Sequence, residues 1–225
     1  MLYVLSYGCY LILWLMGWTP LKKIKAIQHD RYVVCVFSHT SYLDFMMMVL
    51  YYFAYHKELK YLKCLIRGDF FSTWYGPLLR YVGGIPGTLI REKHGGAVKR
   101  IVDEIYQQPR AYFLICPKGT IMQGEWRSGY YYIAQQLQAN LIALGMDYEA
   151  KKVTIGQMIS YKLEEERIKS LLYNDLGNIV PLYPEREMMR IRPHDSKKVS
   201  VMSKWRLISI AGIAWIAYRW IAMNW

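Results

Sequence analysis

The chain alternates between short apolar runs and longer stretches of helical character. "YVVCVF" at 32–37, "YLKCLI" at 61–66, "AYFLIC" at 111–116 and "NLIALGMD" at 140–147 are nearly continuous apolar blocks. Strands buried on both faces take that form. Helical stretches lie between them, over roughly 42–56, 69–81, 93–108 and 127–138. The alternation predicts an α/β fold, a largely parallel sheet flanked by helices. "KKVTIG" at 151–156 follows the fourth block closely enough for a further strand or hairpin. "KLEEERIKSLLY" places Glu165 and Lys169 four apart, as on an exposed helix. No internal repeat or low-complexity linker interrupts the pattern.

Both ends depart from it. Residues 1–18, "MLYVLSYGCYLILWLMGW", carry no charge. A removable signal peptide calls for a basic start and a small-residue cleavage site, and neither is present. At about 1.5 Å per residue such a helix reaches roughly 27 Å, close to the hydrocarbon thickness of a bilayer. It is expected to span with help from its Trp and Tyr, or to lie partly immersed. "LISIAGIAWIAYRWIAMNW" at 207–225 repeats the pattern in mirror image, with Arg219 as its one charge. Lys22, Lys23 and Lys25 flank the first segment, and Lys197, Lys198, Lys204 and Arg206 precede the second. The excess of Lys and Arg on cytoplasmic flanks puts the intervening domain in the cytoplasm. The expected organisation is a membrane-associating segment at 1–20, the α/β domain at 21–206 and a hydrophobic segment at 207–225, a candidate transmembrane helix.

Composition narrows the partner. Hydrophobic residues make up 54% of the chain, with 21 Tyr and 8 Trp, and the net charge is +12. Amphipathic aromatics collect at membrane–water interfaces, and a basic balance favours polyanions. Together they fit an anionic phospholipid surface better than nucleic acid, for which no helix-turn-helix, zinc spacing or RNA-binding aromatic motif is present. Cys9, Cys35, Cys64 and Cys116 all sit in apolar runs without a CxxC spacing. They read as small hydrophobes in a reducing compartment, not as a disulfide frame or metal site.

The candidate chemistry sits where the first apolar block ends, in "SHTSYLD" at 38–44. It has the form of a strand-to-helix turn, with Thr40 or Ser41 as N-cap and Asp44 in the first helical turn. A capped helix with an acid near its positive end accounts for these residues without any chemistry. A second reading uses the spacing. An Asp one turn beyond a His can accept a hydrogen bond from its Nδ1–H and leave Nε2 free to take a proton from a hydroxyl. Of the five His, only His39 has an Asp five positions on, and His29, His56, His94 and His194 read as ordinary.

With these residues in view, the sequence resembles the glycerolipid acyltransferases, the family of 1-acylglycerol-3-phosphate acyltransferase. "SHTSYLD" is similar to the first motif, His-x4-Asp. "GGIPGTLIRE" at 83–92 is similar to the second, a glycine-rich turn leading to an arginine. "FLICPKGT" at 113–120 resembles the third, usually Pro-Glu-Gly-Thr, and "EWRSGYYYIA" at 125–134 the basic segment after it. "VPLYP" at 180–184 faintly resembles a proline-bearing fourth motif. The resemblance implies His39 as general base, Asp44 as its orienting partner, and Arg91 and Arg127 as holders of the acceptor phosphate. Gly119 and Thr120 would line the same pocket. It implies transfer of an acyl chain from acyl-CoA to the free hydroxyl of a lysophospholipid at a membrane, with no metal and no cofactor beyond acyl-CoA as substrate.

Two positions depart from the motif. Lys118 stands where the family has glutamate, and Ile121 where it has Arg or Ser. Lys118 is then a further candidate for binding phosphate, as a point charge. The reversal also keeps other readings open: a remodelling acyltransferase or CoA-independent transacylase with another acceptor, or a non-catalytic protein that binds anionic lipid. Chain length, sn position, donor and oligomeric state are not set by these motifs.

Overall fold

The computed structural model describes residues 2–19, 31–37, 39–55, 61–87 and 96–187. Six strands form one sheet: β1 (Arg31–Phe37), β2 (Leu62–Ile66), β3 (Gly84–Pro86), β4 (Ala111–Ile115), β5 (Asn140–Asp147) and β6 (Lys152–Ile159). Their order is β3-β2-β4-β1-β5-β6. Every pairing is parallel except β5 with β6, a hairpin. The α/β expectation holds, and the further strand at 151–156 is the antiparallel arm of that hairpin.

β1 is central because both its faces are apolar. Val33, Cys35 and Phe37 pack with Phe113, Ile115, Leu141 and Ala143 on one face of the sheet. Helices α4 (Gly96–Tyr106), α5 (Gly129–Leu137) and α6 (Glu165–Leu176) cover that face with Ile105, Ile133, Leu172 and their neighbours. Tyr32, Val34 and Val36 point the other way, beside Leu114 and Ile142. Period-two alternation in an all-apolar run therefore fills two cores at once. Helix α2 (Tyr42–Ala54) lies over the second face, its Met47 and Tyr51 buried with Leu13 and Trp18.

Leu13 belongs to α1 (Leu2–Leu15), which packs on α2. Ser6 donates to the Ala54 carbonyl at 2.9 Å, and the Tyr51 hydroxyl donates to the Thr19 carbonyl at 3.0 Å. The helix has 14 residues, about 21 Å of rise, short of a bilayer's hydrocarbon core. Among the described residues no helix is long and apolar enough to cross a membrane. Of the two arrangements expected for the first segment, spanning is the one corrected: Gly17, at φ 77°, ends the run, and Cys9, Leu13 and Trp18 are buried. The segment at 207–225 lies outside the described residues.

The single helix expected at 69–81 is two short pieces, a 3-10 turn at Gly68–Ser72 and α3 (Gly76–Tyr81) with proline in its first turn. Gly76 has no room for a side chain, because a Cβ there would run into the Phe71 carbonyl. β3 was not foreseen. It holds three residues, one of them proline, on an edge of the sheet where a missing N–H is tolerated.

Candidate active site

β1, β4 and β5 are adjacent and parallel, so their carboxyl ends open on one edge of the sheet. In open α/β sheets that edge is where ligands bind. His39 and Thr40 follow β1, the 116–128 loop follows β4, and Tyr148 follows β5.

The turn after β1 is built by a reciprocal cap. Ser41 is extended, at φ −148° and ψ 153°, and its Oγ accepts from the Leu43 N–H at 3.0 Å. Asp44 closes the box from the third helical position. Its Oδ2 accepts from the N–H groups of Thr40 at 2.8 Å and Ser41 at 2.9 Å. His39 Nδ1 approaches the same oxygen at 3.4 Å. That contact lacks hydrogen-bond geometry, and among the described residues Nδ1 has no other partner. Long or misaligned catalytic hydrogen bonds are common without substrate. Cap and dyad are not alternatives here. A carboxylate offers about four lone-pair sites, so Asp44 can close the cap and still face His39.

A residue that spacing did not reveal completes the group. Tyr148, the first residue past β5, donates its hydroxyl to Asp44 Oδ1 at 2.5 Å. Burial first, then the neighbouring carboxylate, pushes the Tyr148 phenol well above its ordinary value, so it stays protonated and donating. Asp44 is 2% exposed. The His39 side chain keeps 23% exposure, all of it from atoms other than Nδ1. The imidazole thus presents to solvent the edge that Asp44 does not face.

Lys118, Gly119, Thr120 and Arg127 share the loop after β4. Gly119 turns it at φ 67°, a conformation that side chains disfavour, and a Cβ there would meet open space. Thr120 Oγ1 accepts from the Met122 N–H at 3.2 Å. The Arg127 N–H donates to the Pro117 carbonyl at 3.0 Å, which folds the loop back on itself, and the Arg127 side chain is exposed. Beside it Trp126 stacks on Tyr173 at 4.5 Å and packs against Phe37 at 4.6 Å. That wedge fixes where the basic segment leaves the core. Lys118 points elsewhere. It is 4% exposed, and its Nζ lies 3.3 Å from Glu187 Oε2 and donates to the Arg186 carbonyl at 3.1 Å. Cys116, just before it, has its thiol raised above the ordinary value by burial. Arg91 lies outside the described residues.

The segment at 183–187 joins the two loops. The Tyr183 N–H donates to Thr40 Oγ1 at 3.3 Å, and Arg186 Nη1 to the Thr40 carbonyl at 3.0 Å. From the other side Gln123 donates to the Glu185 carbonyl at 2.7 Å. The structure therefore brings His39 and Asp44 into direct approach, and places Lys118, Gly119, Thr120 and Arg127 on the neighbouring strand end. Tyr148, Tyr183, Arg186 and Glu187 are additions. "VPLYP" was the one hint of the second group, and Tyr148 had none beyond its place after an apolar block. Among the described residues no cluster of His, Cys, Asp or Glu forms a metal site.

A mainly parallel sheet with a His-x4-Asp pair at the end of its central strand is the arrangement that the acyltransferase resemblance implies. A model of the Acyltransferase family matches residues 21–147, more than half of the chain, and the chain belongs to that family, the glycerolipid acyltransferases whose motifs it carries. Searches of curated proteins and of solved structures gave no match. Tyr148 and the 183–187 segment lie beyond the matched residues.

Proposed function

We propose that this acyltransferase is membrane-bound, and moves a fatty acyl chain from acyl-CoA to the free hydroxyl of 1-acylglycerol-3-phosphate, giving phosphatidic acid. The observation that carries the reading is the approach of His39 Nδ1 to Asp44 at 3.4 Å, on a carboxylate held by three other donors. Asp44 orients the imidazole and stabilises its protonated form. Nε2 takes the proton of the acceptor hydroxyl as its oxygen attacks the thioester carbonyl. A C–O bond forms, the C–S bond breaks, and the proton passes from Nε2 to the leaving thiolate. The products are the diacylated phospholipid and free CoA. Direct transfer is supported by Cys116, which burial keeps as a neutral thiol and so a poor nucleophile.

Arg127, Gly119 and Thr120 form one side of the acceptor phosphate site, with Arg91 as the further cation that the motifs supply. The membrane part of the reading rests on α1. Val4, Tyr7, Leu11 and Trp14 recur at helical spacing and are exposed, so the outer face of α1 is an apolar stripe. On a chain of net charge +12, such a stripe suits a helix lying in the interface of an anionic bilayer. The cytoplasmic face is the side proposed for the catalytic domain, because Lys22, Lys23 and Lys25 follow the first segment. A different lysophospholipid acceptor is the second reading, favoured by the inverted charge at Lys118.

The test is product formation from labelled acyl-CoA, with each lysophospholipid offered in turn. His39→Ala and Asp44→Ala are each expected to lose on the order of a hundredfold or more of the rate while lipid binding persists. Equal rates in wild type and His39→Ala would end the enzyme reading and leave a lipid-binding protein.

A further inference from the structure

Lys118, Arg127 and Arg186 stand near the carboxyl ends of β1 and β4, and their surroundings differ. Lys118 is neutralised by Glu187 in a buried pair, at 3.3 Å. Arg127 is exposed. Arg186 is half-buried and pairs with no carboxylate among the described residues. Its side chain makes two contacts: Nη1 donates to the Thr40 carbonyl at 3.0 Å, and the guanidinium lies over the Tyr183 ring with its carbon 4.3 Å from the centroid. A guanidinium has five N–H donors in a fixed plane. One is committed to Thr40, and the stacking on Tyr183 orients the rest.

The backbone under Arg186 is also held. Lys118 donates to the Arg186 carbonyl, and the Arg186 N–H donates to the carbonyl of Tyr183 at 3.0 Å. Tyr183 is in turn fixed to Thr40 Oγ1. A positive charge with no counter-ion among the described residues is thereby held beside Thr40, the neighbour of His39. Holding a cation that way, partly desolvated and pre-oriented, favours a bidentate anion such as phosphate.

We infer that Arg186 binds the acceptor's phosphate beside His39, and that Lys118 does not touch it but holds Arg186 in place through Glu187 and the Arg186 carbonyl. This rests on the acyltransferase reading and names a residue of its acceptor site outside the motifs. Chemistry selects the acceptor over the donor. In 1-acylglycerol-3-phosphate the phosphorus is a few bonds from the reacting hydroxyl. In acyl-CoA the whole pantetheine arm separates the thioester from the nearest phosphate.

The experiment is equilibrium binding to the full chain in detergent, in a His39→Ala background that prevents turnover. The probes are 1-acylglycerol-3-phosphate, the same acylglycerol without phosphate, and CoA. Arg186→Gln is expected to weaken the phosphate-bearing lipid on the order of 10- to 100-fold and leave the phosphate-free lipid unchanged, with Arg186→Lys in between. Binding of CoA is expected to be unaffected. Unchanged binding of the phosphate-bearing lipid in Arg186→Gln would overturn the assignment, as would loss in Arg127→Gln alone. A loss confined to CoA would also overturn it, moving the residue to the donor. Equal loss of both lipids would do the same, by showing a role in folding. Acyl transfer is assayed separately with His39 intact. An inactive enzyme that still shows Arg186-dependent binding would defeat the catalytic reading and keep this one.

Discussion

Asp44 carries more of the site than any other residue. It closes the helix cap, faces the histidine and accepts from Tyr148, so each bond constrains the others. Tyr148→Phe deletes one donor and keeps the ring, which packs edge-on against Trp18 at 5.2 Å. The expected result is a fall in kcat of about tenfold, from a lost hydrogen bond to a charged group worth about 1.5 kcal/mol. KM for either substrate should hold steady, since Tyr148 acts through Asp44. A change in KM alone, measured by steady-state kinetics, would show that Tyr148 meets substrate instead. The dyad itself was legible as a spacing, because His and Asp are close in sequence and sit at the end of an apolar block. Tyr148 was not, because 104 positions separate it from Asp44 and only the pairing of β5 with β1 brings them together.

Among the elements, the strands buried on both faces were legible because burial demands unbroken apolar runs. β3 was hidden for the opposite reason: Gly84, Ile85 and Pro86 offer no run and no alternation. The turn before it depends on Gly83, at φ 84°, where a Cβ would run into the Leu62 carbonyl. Gly83→Ala is therefore expected to destabilise the β2–β3 edge by at least about 1 kcal/mol, read as a lower denaturation midpoint. The charge reversal at Lys118 was visible in sequence, but its partner was not, since Glu187 lies in an irregular segment with no pattern to place it. Removing one member of a buried ion pair costs roughly 3–5 kcal/mol, whereas apolar replacement of both is often tolerated. Lys118→Met should lower stability by about that amount, and Lys118→Met with Glu187→Met should recover most of it. Denaturant unfolding of the single and double variants checks this. Similar stability in all three would mean that the pair does not hold the 183–187 segment.

On the scale of the whole molecule, the abundance of tyrosine has a consequence for pH. Burial raises the phenols of Tyr51, Tyr130 and Tyr148, and that of Tyr173 to about 12. A raised acid is neutral in the fold and ionises more easily in the unfolded chain, near pH 10. Its contribution to stability is complete below that pH and is lost as pH rises through the folded value. Burial raises the Cys35 and Cys64 thiols as well, Cys64 to about 12, so the decline should begin near pH 9. The melting temperature should be insensitive to these groups between pH 6 and 8, within roughly the usual range of maximal stability. It should fall steadily above about pH 9 to 10, with phenolate absorbance appearing together with unfolding. Phenolate absorbance at full titre in the folded protein at about pH 10.5 would contradict this burial.

The proposed function makes one chemical claim: the proton of the acceptor hydroxyl leaves through His39 as acyl-CoA gives up its thiol. Release of CoA thiol from palmitoyl-CoA by the purified full chain, with and without 1-acylglycerol-3-phosphate, tests it most directly against His39→Ala. Release that requires both the lysolipid and His39 is the predicted result. Release that is the same in His39→Ala, or none from the wild type with any lysophospholipid, would contradict it.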